Sequence, residues 1–209
     1  MNQNGTPEKI IRAAGEAFFR DGIRAVTMDD VARRLGMSKR TLYQHFDSKR
    51  SLLREVMLSQ TRHIDAVLEK ASREDYNDFP TKLRTVLTRL AAALPQPSRR
   101  FFQDLRGLAP EVWEELSRER QRILTHHFSR LFHEGRRRGL LHEGFSPELV
   151  LQLFLSMIQG LINPNTLAEM PLSAPQILDR IVTVLLTGIL RPEAANDGSQ
   201  GTEKAGGAG

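Results

Sequence analysis

Thr27, Ser38 and Ser48 each stand just ahead of a stretch with helical periodicity, and the first two stretches are very short. A hydroxyl in that position accepts from the free backbone N–H groups of a first helical turn, so each marks a helix start. Thr27 and Asp30 also have capping-box spacing, with Asp in place of the usual Glu. Met28, Val31, Ala32 and Leu35 then fall on one narrow apolar stripe, and Gly36 stops the helix after barely two turns. The helix behind Ser38 has only Leu42 and Phe46 to turn inward. Isolated helices below about 12–15 residues are marginal in water, so neither of these stands alone. Both need a third wall. The preceding helix offers Ile10, Ala14, Ala17 and Phe18 on one face, with Thr6 as its cap, Pro7 in the first helical position and Gly22 as its stop. The pattern predicts a cooperative three-helix unit built on a helix-turn-helix.

Everything periodic downstream is also helical, and no strand pattern or internal repeat is found. The helix from Ser48 reaches about Ser72. Leu83, Val86, Leu87, Leu90, Ala91 and Leu94 form the next stripe, closed by Pro95 and Pro97. Ser98 opens a short segment carrying Phe101, Phe102, Leu105 and Leu108, and Pro110 opens a long helix ended by Gly139. Ser146-Pro147-Glu148 repeats the signal of Thr6-Pro7-Glu8, and Ser173 begins a last helix that ends at Arg191-Pro192. The expectation is an all-α chain of about nine helices. Residues 1–50 form the helix-turn-helix domain, residues 51–192 a larger helical domain, and residues 193–209 a disordered tail rich in Gly, Ala and polar residues.

Composition narrows the function classes. The absence of cysteine excludes disulfides, thiolate zinc sites and a cysteine nucleophile, and it fits a cytoplasmic location. The polar N-terminus lacks a signal-peptide core, and the longest apolar stretches are interrupted by Gln152, Gln159, Asp179 and Arg180, which argues against a membrane span. The net charge is +5, and ten basic against six acidic residues place most of that excess in residues 1–50. A basic N-terminal quarter on a nearly neutral body points to a polyanionic partner.

The segment Ser38 to Lys49 reads S-K-R-T-L-Y-Q-H-F-D-S-K. With Leu42 and Phe46 turned inward, Lys39, Arg40 and Thr41 occupy the first turn, the part of a recognition helix that enters the major groove. Lys and Arg donate to guanine O6 and N7, and a threonine methyl meets a thymine methyl. Tyr43, His45 and Lys49 carry donors suited to phosphate oxygens. Thr27 and Lys49 also lie at helix N-termini, where the dipole favours an anion.

At these residues the chain resembles the DNA-binding domain of the TetR (tetracycline-repressor-like) family. The likeness covers about residues 8–57. The family's T-x-x-x-[IV]-A corresponds to Thr27, Val31 and Ala32, and its [ST]-x-x-x-[IL]-Y-x-[HY]-F-x-x-K to Ser38, Leu42, Tyr43, His45, Phe46 and Lys49. The resemblance implies a ligand-responsive transcriptional regulator, by family default a repressor, that binds a palindromic operator in double-stranded DNA as a homodimer. It implies base contacts from Lys39, Arg40 and Thr41, and phosphate contacts from Thr27, Tyr43, His45 and Lys49, with Ser38 in the same site. It further implies dimerisation through the last two helices, at residues 147–163 and 174–190, whose sequences are apolar nearly all round, and close approach of helices at Gly160 and Gly188.

The resemblance also implies an effector cavity within the middle helices. Its lining is expected from Phe101, Phe102, Leu105, Trp113, His127, Phe128, Leu131 and Phe154, and the scarcity of acids away from helix ends points to an apolar or amphipathic effector. No cofactor and no metal is expected. Two other classes fit less well. An enzyme would need a nucleophile elbow, a phosphate-cradling loop or a histidine-acid cluster, and His126 and His133, seven apart, have no acid placed with them in the sequence. An effector-independent DNA-organising protein would spread its basic surface beyond one short domain.

Overall fold

The computed structural model describes residues 6–189. Ten helices follow one another: α1 (Thr6–Asp21), α2 (Met28–Arg34), α3 (Lys39–His45), α4 (Lys49–Arg73), α5 (Phe79–Ala93), α6 (Arg99–Leu108), α7 (Pro110–Arg137), α8 (Pro147–Leu161), α9 (Pro164–Glu169) and α10 (Ala174–Ile189). No strand occurs among the described residues.

The caps set most of these boundaries. Thr27, Ser38, Ser48, Ser98 and Ser146 each accept a backbone N–H three residues on, and Thr27 and Asp30 complete the reciprocal capping box. Gly36 and Gly139 follow α2 and α7 with φ of +63° and +70°, the left-handed region that glycine enters without steric cost. One detail departs from expectation. The count among the described residues is ten rather than about nine, because Asn163 caps a further short helix, α9, with Pro164 at its start. The expected cap at Thr6 falls at the edge of the described residues. The expected stop at Arg191-Pro192 and the tail 193–209 lie outside the described residues.

In the N-terminal unit, Ile10, Ala14, Phe18 and Leu42 are fully buried, with Val31, Ala32 and Phe46 nearly so. Each large apolar side chain removed from water contributes about 1.5–3 kcal/mol, which offsets the poor autonomy of the seven-residue α2 and α3. Helix α4 continues without a break into the larger body. Its first turns bury Leu52, Leu53 and Val56, with Val56 close beside Gly15 of α1, and its later turns bury Ile64, Leu68 and Ala71. Helices α5, α7, α8 and α10 complete that body around Phe128, Phe132 and Phe154, whose rings lie 4.6–6.3 Å apart.

A second joint ties the two parts together where α6 meets α1. The Ser98 N–H donates to the Phe19 carbonyl at 2.7 Å, and the Arg24 N–H donates to the buried Asp104 carboxylate at 2.8 Å. Phe19 and Phe101 meet edge to face at 5.1 Å. Gly22 turns the chain there at φ +90°, and a Cβ on it would come within 2.9 Å of both Arg100 and Asp104.

Helices α8 and α10 lie side by side and each buries one face only. Leu149, Leu153, Leu161 and Val184 remain 38–63% exposed. Among the described residues, no atom beyond the local helix backbone lies within 4 Å of where a Cβ on Gly160 or Gly188 would stand.

Candidate nucleic-acid interface and inner cavity

Leu42 is fully buried on α3, and this anchors the rotation of the whole two-turn helix. Because successive residues are 100° apart, Lys39, Arg40, Tyr43, Gln44 and His45 are then directed to solvent. Arg40, Tyr43 and His45 have no hydrogen-bond or ion-pair partner among the described residues, so their donors are free. The remaining residues of the expected site are less free. Lys39 Nζ lies 3.0 Å from Asp29 on α2, and that contact raises its pKa. The Ser38 and Thr41 hydroxyls meet at 2.8 Å while Ser38 accepts the Thr41 N–H, so both serve the start of α3. The Thr27 hydroxyl donates to Asp30 at 2.6 Å and accepts the Asp30 N–H, and these bonds hold the Asp30 carboxyl below its ordinary pKa.

Lys49 opens α4 half-buried, and desolvation lowers its pKa against the opposing pull of Asp104 and Asp30. No carboxylate within 4 Å pairs with it among the described residues. An ammonium at a helix N-terminus, short of counter-charge, is arranged to meet an anion from outside.

The inner cavity brings together only part of the expected lining. Phe101, Phe102 and Trp113 border a narrow cleft of about 50 Å³, with Phe19 of α1 and Met57, Thr61 and Ile64 of α4 on its other walls. A neighbouring chamber of about 170 Å³ shares Trp113, Arg120 and Ile162 with that cleft. Leu105, Phe128 and Phe154 are fully buried core residues. His127 and Leu131 border a different, open groove lined by charged residues such as Lys82, Glu134 and Arg137. Sequence reasoning missed Arg120. It sits in the run Arg118-Glu119-Arg120-Gln121-Arg122, which reads as a solvated face, and only the rotation of α7 turns one of those arginines inward.

The fold also gathers residues that the sequence keeps apart. Ligand atoms of Glu69, His126 and His127 lie within 4.8 Å of one another, a set capable of holding a divalent cation. The sequence pattern pairs His126 with His133 and places no acid with them, whereas the fold brings Glu69 of α4 to His126 and His127. His127 Nε2 is already within 2.8 Å of Asp65, which accounts for the burial of this histidine as part of a pair joining α4 to α7.

Comparison with known proteins agrees with this geometry. Residues 10–56 match the family described as bacterial regulatory proteins, tetR family. The chain is 24% identical to the HTH-type transcriptional regulator YvaF of Bacillus subtilis over 90% of its own length and 94% of the relative's. It is 25% identical to the HTH-type transcriptional repressor BepR of Brucella suis, over 76% of its own length and 79% of that protein's. Among solved structures, the TetR family transcriptional regulator PfmR from Thermus thermophilus superposes with a TM-score of 0.59 at 26% identity, covering 87% of this chain and 99% of that one.

Proposed function

We propose that the chain, whose residues 10–56 match the tetR family of bacterial regulatory proteins, is a DNA-binding transcriptional regulator rather than an enzyme, that it represses transcription as a homodimer on a palindromic operator, and that a small effector releases it. The observation that carries this reading is the set of partner-free donors, Arg40, Tyr43 and His45, on a two-turn helix whose rotation is anchored by buried Leu42. Free donors on the outer face of such a helix suit the edges of bases and the phosphates beside them. Thr27 and Ser38 act first as caps, the Thr41 hydroxyl is bonded to Ser38, and Lys39 reaches DNA by leaving Asp29. Repression follows the sign of control carried by BepR. A chromosomal regulator works in the cytoplasm, and no helix among the described residues is long and apolar enough to cross a membrane.

The exposed leucines of α8 and Val184 of α10 are the natural seam between protomers, because burying them removes apolar surface from water. A two-fold axis there would set the two copies of α3 about 34–36 Å apart, one turn of B-DNA. Residues 1–50 read DNA, and the larger domain senses the effector and dimerises.

Signal transfer has two routes out of the cavity. Met57, Thr61 and Ile64 belong to the same helix that runs into the DNA-binding unit, and Phe19 belongs to α1 itself. An occupant that pushes these walls apart tilts α4 and shifts the joint between α1 and α6. Coupling of about 1–3 kcal/mol is enough for regulation. Sedimentation velocity of the purified protein with and without duplex tests the assembly. The expected result is a dimer alone and one or more whole dimers on each operator; single protomers bound to DNA would overturn it.

A further inference from the structure

Arg120 differs from the other arginines of α7. Its guanidinium lies 4.5 Å over the Trp113 ring and donates to the Ser117 hydroxyl at 3.3 Å. No carboxylate pairs with it among the described residues, whereas Arg122, two residues on, is bound in fork geometry to Glu119. Arg120 borders both the narrow cleft and the neighbouring chamber, and neither contains an Asp or Glu in its lining. The surroundings are Phe101, Phe102, Leu116, Leu124 and Ile158, with neutral Gln and Asn groups at the rim. Desolvation brings the Arg120 pKa down to about 10, so it remains a cation at neutral pH. A guanidinium has five N–H donors in a planar fork that matches a carboxylate.

We infer that the inner cavity receives a small amphiphile with a carboxylate head, and that Arg120 holds that head while the aromatic cleft takes the apolar body. The inference rests on the reading of this cavity as the effector site and specifies the effector's chemistry. A singly charged head is the match, because Arg120 is the half-buried cation described in these linings, set over the Trp113 ring, while Arg118, the other arginine there, is exposed. A chamber of about 170 Å³ is of the size that admits a single ring. Ring or short-chain carboxylates therefore fit, and the narrow cleft opens to admit their ends.

Trp113 is the only tryptophan in the chain and touches both Arg120 and the cavity, so its fluorescence reports occupancy. The experiment titrates the full-length protein with octanoate, octanol and octylammonium, and with 3-phenylpropanoate and 3-phenylpropanol. It reads Trp113 emission and calorimetric heat, then release of a bound duplex. The expected result is carboxylates binding about tenfold or more tighter than their alcohols, with the ammonium weakest. Arg120→Gln should abolish that preference while leaving alcohol binding in place, and Arg120→Lys should keep part of it. Equal binding of carboxylate and alcohol by the native protein overturns the inference and leaves the cavity reading standing; this comparison does not depend on any variant folding. An unchanged preference in a folded Arg120→Gln protein also overturns it. If no amphiphile of any charge binds, the cavity reading itself fails, and this inference falls with it.

Discussion

On α3, Leu42 is completely buried, and Tyr43 beside it is 40% exposed. That one-residue contrast assigns roles along the helix. Arg40→Ala should cost about 1–3 kcal/mol at one base pair of each half-site and relax the preference there. Tyr43→Ala should weaken binding to all duplexes alike, as loss of a phosphate contact does; binding titrations against a panel of operator variants separate the two outcomes. Asp29 holds Lys39 at 3.0 Å and also brings a negative charge toward phosphates, so Asp29→Asn should tighten DNA binding, most visibly at low salt. Weaker binding by that variant would show that Asp29 instead orients Lys39 for contact. The free donors on α3 were legible in the sequence because Leu42 and Phe46 fix the inward side by spacing alone. The engagement of Lys39 was not, since Asp29 lies on another helix and only the turn at Gly36 brings the two together. Arg120 was hidden for the same reason: its neighbours in sequence are charged, and its neighbours in space are aromatic.

Short helices depend on their ends. The box of Thr27 and Asp30 holds the start of α2, and those hydrogen bonds depress the Asp30 pKa. A carboxyl depressed in the folded state contributes stability above its unfolded pKa and loses that contribution as pH falls through the folded value. The thermal midpoint of the native protein should therefore drop more steeply in acid than that of Asp30→Asn, and parallel pH profiles would contradict this. At the joint between α1 and α6, Asp104→Ala leaves the Arg24 N–H without its buried acceptor, at a cost of about 1–3 kcal/mol in stability. The same change should also blunt release of DNA by effector, which duplex-binding titrations with and without ligand would detect. Serine and threonine caps, with Pro and Gly as punctuation, made most helix boundaries readable. Helix α9 escaped because six residues hold too little periodicity to stand out, and Asn163-Pro164 reads equally well as a turn.

For the whole molecule, the all-α architecture followed from periodicity, but which side chains of the apolar helices face outward did not. Helices α8 and α10 read as apolar nearly all round, and only the packing shows that one face of each is buried within the chain while Leu149, Leu153, Leu161 and Val184 face outward. Leu153→Glu combined with Val184→Glu should give a monomer of unchanged helical content, by sedimentation and circular dichroism, because neither side chain belongs to the protomer's core. A dimer that persists would place the seam elsewhere. Paired copies of α3 should read a symmetric DNA site, and the decisive experiment is selection of bound duplexes from a random pool by the purified protein. An inverted repeat with half-site centres about one helical turn apart should be enriched; recovery of no common sequence, or of a single unrepeated half-site, would overturn this reading.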